Sequence, residues 1–485
     1  MTYEVLNLIG GKHSPARNGS VLDNINPATG NVIGTLPRSD VDDVEAAVQA
    51  ALEAQLTWGT MSNEERAHWL DKIANALEKR IEEIAMLESL DTGKPIRNAR
   101  TIDATRSIAN FRHFAQAVRG LHDDAYRMTD ALNYTQRVPI GICGLISPWN
   151  LPLYLLSWKV APALAMGNAV ICKPSELTPL TAHLLGEVSV DLGLPPGVLN
   201  IIHGLGNEAG QAITEHMDVG AVSFTGGTDT GRRVSLATAP RFAKTSLELG
   251  GKNATIVFAS ACTDEHIQRT LDGIVQAGFA NQGQVCLCGS RLLIESSVWE
   301  TVINGLVQRL QSVTIDDPAD EDTKFGSLIS LAHRDKVESY ITRAVGDGGA
   351  VLAGGGRPIM QEALSEGAWL EPTLITNLPK DHACNLEEIF GPVVVAEPFM
   401  DEIEAIRSAN ATDYGLAASV WTRDLTQARR VSEKLETGMV WVNTWLHRDL
   451  RVPFGGLKQS GVGREGGRWA LEFFSEIRNI CLHDD

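Results

Sequence analysis

The side chains best suited to chemistry in this sequence are a thiol, a carboxylate and an amide. Cys286 lies in FANQGQVCLCGSR (279–291), Glu248 in LELGGKN (247–253) and Asn150 in the Pro-bounded ISPWNLP (146–152). A cysteine thiolate is a strong nucleophile near neutral pH when its local field lowers the pKa. A carboxylate beside it can activate water, and an amide N–H can hold a developing oxyanion. Each has a plainer reading when taken alone: a small buried residue, a loop carboxylate, a turn amide. Cys286 and Cys288 stand two residues apart in what reads as a short extended run, and only one of them is expected to face the site.

A second group of residues suits a nucleotide. Lys173 and Glu176 in CKPSELTP (172–179) follow a predicted strand, at the rim where open α/β sheets bind ligands. A lysine and a carboxylate there can hold the hydroxyls of a ribose. The carboxylate also repels a 2′-phosphate, which favours NAD over NADP. HGLGNEAG (203–210) and FTGGTDTGRR (224–233) are Gly-rich turns after strands, able to approach a pyrophosphate although neither completes GxGxxG. Further on, NTWLHRDLRVPFGG (443–456) places Arg448 and Arg451 in a tight, otherwise apolar loop. Their charge meets either Asp449, as a surface ion pair, or a substrate anion.

These residues need rigid elements to hold them. SNEERAHWLDKIANALEKRIEEIAMLESLDTG (62–93) reads as a helix opened by a Ser62–Glu65 capping box and stopped at Gly93. ARTIDATRSIANFRHFAQAVRG (99–120) predicts a second helix, carrying Arg106, and LNYTQRVPIG an extended segment. From residue 142 the runs ICGLIS, AVICKP, VLNIIHG and AVSFTG alternate with helical stretches, the pattern of a parallel sheet with crossover helices. The alternation restarts after residue 250 with ATIVF, SRLLIE and later β-rich runs, so the reading is two successive α/β domains.

The chain's 485 residues, with 60 Asp and Glu against 42 Lys and Arg, give a formal charge of −18 that would repel nucleic-acid phosphates. Seven cysteines, an odd number without a CxxC, argue against disulfides and structural zinc and fit a reducing, cytoplasmic setting. No metal site is expected. The N-terminus lacks the pattern of a signal peptide. The most apolar stretch (151–172) is interrupted by Lys159, Pro152, Pro162 and Asn168, and predicts a buried helix leading into a strand rather than a membrane span.

In order along the chain, ISPWNLP, WKVAPALAMGN, CKPSELTP, FTGGTDTG, LELGGKN, FANQGQVCLCGSR, EEIFGPV and PFGGLKQSGVGRE resemble the motifs of the aldehyde dehydrogenase superfamily. The resemblance covers nearly the whole chain. It implies an α/β aldehyde dehydrogenase-like fold: a Rossmann-type NAD-binding domain (1–119 and 140–250), an α/β catalytic domain (251–449) and small β oligomerisation segments (120–139 and 466–485). It assigns the nucleophile to Cys286, the general base to Glu248 and the oxyanion amide to Asn150; Cys288 matches no catalytic role and is read as packing. Lys173 and Glu176 match the adenosine-ribose contacts, Glu388 the nicotinamide-ribose contact, and Phe390 packs near that ring. Ile146, Trp149, Gly226, Gly227 and Leu249 complete the implied NAD site. Gly227 stands where many relatives have serine, and the Glu248–Cys286 segment is about one helical turn longer than usual, an insertion expected to leave the site undisturbed.

By this resemblance a thiolate adds to the aldehyde, hydride passes to NAD, and the thioester is hydrolysed by water that Glu248 deprotonates. Glu465 is a further candidate for proton transfer. TIDATRSIANFR and RDLRVPFGG resemble the branch that oxidises 2-aminomuconate and 2-hydroxymuconate semialdehydes, which places the carboxylate-binding arginines at Arg106 and Arg448 and leaves Arg451 without a matched role. The competing readings are an enzyme for neutral aldehydes and an inactive NAD-binding structural protein. The implied partners are a small aldehyde and other copies of the chain, as a dimer or tetramer, with no nucleic acid and no membrane.

Overall fold

The computed structural model describes residues 2–483 and contains two large sheets. In the first, five parallel strands lie in the spatial order Lys244–Glu248, Val219–Thr225, Ile142–Ile146, Ala169–Lys173 and Leu199–Ile201. The order reverses between Ile142–Ile146 and Val219–Thr225, the switch point at which doubly wound sheets open a crevice. Asn7–Ile9 and Gly461–Val462 cap the two sides of this parallel set, both antiparallel. The second sheet has parallel strands in the order Thr373–Thr376, Val393–Phe399, Arg291–Glu295, Ala254–Val257, Ala417–Trp421 and Met439–Val442, with Ala350–Ala353 antiparallel at its edge. This α/β architecture is the expected fold class. Strand Lys244–Glu248, which carries the candidate base, was not among the predicted runs; its KTSLE sequence is half polar and lacks a β-rich signature.

The apolar stretch after residue 151 forms helix Pro152–Ala165, buried on nearly every side, followed by strand Ala169–Lys173. A helix apolar all round has to sit inside protein or lipid; here it packs beneath the first sheet with Phe111, Phe114 and Leu471. Among the described residues no helix is long and apolar enough to cross a membrane.

Two helices differ from expectation. The Ser62–Glu65 capping box forms and Gly93 closes the last turn in the left-handed region (φ 72°), but the run divides at Arg80 into Asn63–Lys79 and Ile81–Thr92. Arg80 leaves helical geometry (φ −107°, ψ 20°), and its guanidinium binds Glu83 at 2.6 Å and Glu187 on the neighbouring helix at 2.8 Å. The predicted Arg106 helix begins with one wide π turn, Ala99–Ala104, before the α-helix Thr105–Arg119. Such turns recur at functional sites, and this one brings Asp103 to the buried ammonium of Lys94 at 2.8 Å.

Residues 461–474 return to the first body, where Ala470, Leu471 and Phe474 join its core. Ser475–His483 then pairs antiparallel with Ala131–Pro139, which pairs with Ala125–Arg127, to form a small separate sheet.

Candidate active site

A cavity of about 310 Å³ opens at the switch point of the first sheet and is closed from the other side by loops of the second. Cys286, Glu248 and Asn150 line it together, although 136 residues separate the first from the last in sequence. Trp149, Gly226, Gly227, Leu249, Glu388, Phe390, Arg448 and Glu465 share the same wall.

Asn150 sits in the loop between strand Ile142–Ile146 and helix Pro152–Ala165. Its side-chain amide donates to the Gln284 carbonyl at 2.9 Å, leaving one N–H for another acceptor. Cys286 lies in a turn rather than the expected extended run. Asn281 and Gln282 take left-handed conformations (φ 51° and 57°) just before it, the kind of backbone strain that gathers at functional sites. Phe390 (φ 59°) and Leu446 (φ 54°), both in the cavity wall, share this conformation. The two thiols still part company: Cys286 faces the cavity, while the Cys288 sulfur is buried against the Ala280 carbonyl.

The local field also differs from the simple expectation. Burial pushes the Cys286 thiol well above its ordinary pKa, and the carboxylates of Glu388 and Glu248 push it further; Arg448 opposes them. Without ligands the sulfur therefore holds its proton. Glu248 ends strand Lys244–Glu248, and both its carboxylate oxygens are buried without a hydrogen-bond partner. Burial, then the neighbouring Glu465, raises its pKa well above the usual carboxylate range, against the pull of Lys159. A Cβ on Gly455 would stand 2.9 Å from Glu248 Oε1, and Gly455 is itself left-handed (φ 149°), so the PFGG turn needs glycine here on both counts.

Glu465 is held by Lys159, whose Nζ donates to it at 2.7 Å and to Ser223 at 2.8 Å, all three buried. Composition and spacing gave no sign of Lys159 or Ser223, because a buried lysine inside an apolar helix reads only as an interruption. His333 and Lys336 also line the cavity and were missed; they open helix Leu331–Gly346 in a stretch with no motif signal.

The cofactor candidates divide between two hollows. Ile146 lies not with the thiol but in a second cavity of about 510 Å³, beside Gly206, Phe224 and Val234. Lys173 and Glu176 line neither hollow. Their ion pair (3.0 Å) stands at the end of strand Ala169–Lys173, and the Lys173 side chain lies against Gly210 of the second cavity. Helix Thr228–Thr238 starts from Gly227 with no side-chain cap, which leaves backbone N–H groups free to receive a phosphate. Glu388 Oε1 accepts the Gly251 N–H at 2.9 Å, and a Cβ on Gly250 would collide with Oε2 at 2.1 Å. Second cavity, Lys173–Glu176 pair, uncapped helix end and Glu388 carboxylate lie along the switch point, a donor and acceptor set that fits a dinucleotide.

The two loop arginines separate cleanly. Arg451 is exposed and pairs with Asp449 at 2.5 Å. Arg448 turns inward. Its guanidinium lies 4.1 Å from the centre of the Phe454 ring and 4.5 Å from that of Trp158, and touches the Tyr154 hydroxyl at 3.4 Å. Its Nε and Nη2 are buried and have no hydrogen-bond partner. Arg106 lies outside the cavity wall, 5.7 Å from the centre of the Tyr154 ring. Among the described residues neither Arg106 nor Arg448 has a carboxylate within ion-pair distance; burial lowers the Arg448 pKa, and the charge of Arg106 adds to that effect while Tyr154 opposes it.

A doubly wound sheet thus brings a thiol, a carboxylate and a side-chain amide to one cavity at its switch point, an arrangement suited to covalent catalysis beside a nucleotide. The aldehyde dehydrogenase family model matches residues 14–480, and the chain belongs to that family. It is similar to a 2-aminomuconic 6-semialdehyde dehydrogenase of Pseudomonas sp., 46% identical over 99% of this chain and 98% of the relative. It is also 46% identical to a 2-hydroxymuconic semialdehyde dehydrogenase of Pseudomonas sp. strain CF600, over 99% of both chains. An aldehyde dehydrogenase of Bacillus cereus, solved as an NAD+ complex, superposes with a TM-score of 0.96 at 36% identity, over 100% of this chain and 97% of that one.

Proposed function

We propose that the protein oxidises an aldehyde bearing a remote carboxylate, of the 2-aminomuconate or 2-hydroxymuconate semialdehyde kind, to the free acid with NAD as oxidant. The observation that carries the substrate class is Arg448: a buried guanidinium with two unpartnered nitrogens in the wall of the cavity that holds Cys286. A buried charge without a partner is costly, and a substrate carboxylate would supply two oxygens to the guanidinium fork. Arg106, next to it, would add charge from outside the wall.

Cys286 acts as nucleophile once its proton has left to water, and Glu248, the carboxylate that shares the cavity, is kept for the later hydrolysis. The free N–H of the Asn150 amide and the backbone N–H of Cys286 would hold the oxyanion; losing one such donor costs roughly 3 kcal/mol of barrier. NAD, when bound, accepts the hydride. Lys173 and Glu176 would hold the adenosine ribose, the uncapped helix end at Gly226–Gly227 the pyrophosphate, and Glu388 the nicotinamide ribose, with Trp149, Leu249 and Phe390 packed around the ring. Ile146 would face the adenine. Glu248 would then deprotonate the water that cleaves the thioester. The exposed small sheet is proposed as the surface on which copies of the chain associate.

The test is steady-state kinetics of the wild type and Arg448→Ala with 2-hydroxymuconate semialdehyde beside hexanal. Removing one member of a buried charge pair costs roughly 2–5 kcal/mol, so KM for the carboxylated substrate should rise by about 30-fold or more while hexanal changes little. Equal effects on both would return Arg448 to a packing role.

A further inference from the structure

The Asn150 amide is held from behind by charges that take no part in the scheme above. The Asn150 backbone carbonyl accepts two donors, the buried Lys94 Nζ at 3.0 Å and the half-buried Asn281 Nδ2 at 3.1 Å. Lys94 Nζ also donates to Asp103 Oδ1 at 2.8 Å, and the two side chains are 1% and 2% exposed. Lys94 is itself pinned. It follows the left-handed Gly93, and its own carbonyl accepts the Ser89 hydroxyl at 2.7 Å. Three residues on, the peptide N–H of Leu153 donates to the buried Glu88 carboxylate at 2.9 Å, so the loop is gripped at Asn150 and again just after it.

A buried ion pair is a poor route to stability, because desolvating two charges costs as much as their attraction returns. A charge-assisted hydrogen bond is, however, short, strong and directional. Here it fixes the carbonyl of the residue whose side chain must meet the oxyanion. With that peptide plane fixed, and with Nδ2 tethered to the Gln284 carbonyl two residues before Cys286, the amide and the thiol keep one relative position.

We propose that Lys94, held by Asp103, is a positioning residue for the Asn150 amide, setting the geometry of the oxyanion site from behind the loop. The inference rests on the oxyanion role given to Asn150 above. Asp103 lies in the π turn that leads into the Arg106 helix, so the same pair also joins the oxyanion loop to the element bearing the outer arginine.

The experiment is a cycle of the full-length enzyme with NAD and hexanal, read as the pre-steady-state burst of NADH. Three proteins are compared with wild type: Asn150→Ala, the paired replacement Lys94→Met/Asp103→Leu, and all three changes together. The paired replacement removes both charges at once, which cores tolerate, and Lys94→Arg serves as the conservative variant. The burst rate should fall by about 10- to 100-fold in the paired variant, as expected for a misplaced oxyanion donor. Alkylation of Cys286 by iodoacetamide, which needs no oxyanion donor, should keep its wild-type rate, and Lys94→Arg should recover part of the burst. Adding the pair to Asn150→Ala should cost little more, since the amide it positions is gone. A full additional loss on that background, or an unchanged burst in the paired variant while Asn150→Ala is slow, overturns the positioning role alone. An unchanged burst in Asn150→Ala overturns both this inference and the oxyanion reading.

Discussion

A carboxylate with no donor in reach is an unusual thing to bury, and Glu248 has two such oxygens. Burial and the neighbouring Glu465 raise its pKa well above the usual carboxylate range, so the fraction competent to activate water grows as pH rises. Thioester hydrolysis should therefore speed up with increasing pH, measured as the steady-state rate after the burst. Glu248→Gln should keep the NADH burst and lose most of the later turnover. A variant that loses both phases together would make Glu248 essential to the first step as well. Glu388 offers a second pH dependence with a definite midpoint. Burial lifts its pKa to about 7, offset in part by the Gly251 N–H. It accepts ribose hydroxyls best when ionised, so the apparent KM for NAD should fall as pH rises from 6 to 8. Glu388→Gln should flatten that profile and leave the KM for aldehyde in place.

At the scale of elements, the helix end facing the dinucleotide is the most instructive. Helix Thr228–Thr238 starts at Gly227, which has an ordinary extended conformation (φ −72°, ψ 149°) and open space where a Cβ would go. Nothing in the backbone demands glycine. Gly227→Ser should therefore be accommodated and add a side-chain cap, worth a few tenths of a kcal/mol over glycine. It should also tighten NAD binding measured by calorimetry, because the hydroxyl would lie beside the pyrophosphate. Gly455 gives the opposite expectation. Alanine there would press on Glu248 Oε1 from a backbone that only glycine adopts easily, so Gly455→Ala should slow deacylation and lower Tm. The contrast between two glycines of comparable motif prominence is visible only with the neighbours in place.

For the whole molecule, what could be read from sequence was what repeats locally: alternation of strand and helix, the capping box at Ser62, and ordered motifs that bring Cys286, Glu248 and Asn150 to one site. What could not be read depends on partners far along the chain. Lys94 and Asn281 meet at the Asn150 carbonyl from separate elements while Asp103 holds Lys94, Lys159 finds Glu465 across 306 residues, and the wide turn at Ala99–Ala104 carries no composition signal. The same holds for Arg448, whose inward turn is set by Trp158, Phe454 and Tyr154 rather than by its own loop. The small sheet raises the last question at this scale. Ser475–His483 runs along Ala131–Pro139 for nine residue pairs, yet Tyr126, Met128, Ile477 and Leu482 remain more than half exposed. An apolar sheet whose edge strand offers unpaired backbone groups is a surface for association. Light scattering should give at least twice the chain mass. Ile477 and Leu482 stand five positions apart on the strand, an odd offset, so they point to opposite faces. Ile477→Lys and Leu482→Lys therefore probe the two faces separately: the variant on the covered face should dissociate, and the other should not. A wild type that elutes at the mass of one chain would leave this sheet without a partner of its own kind.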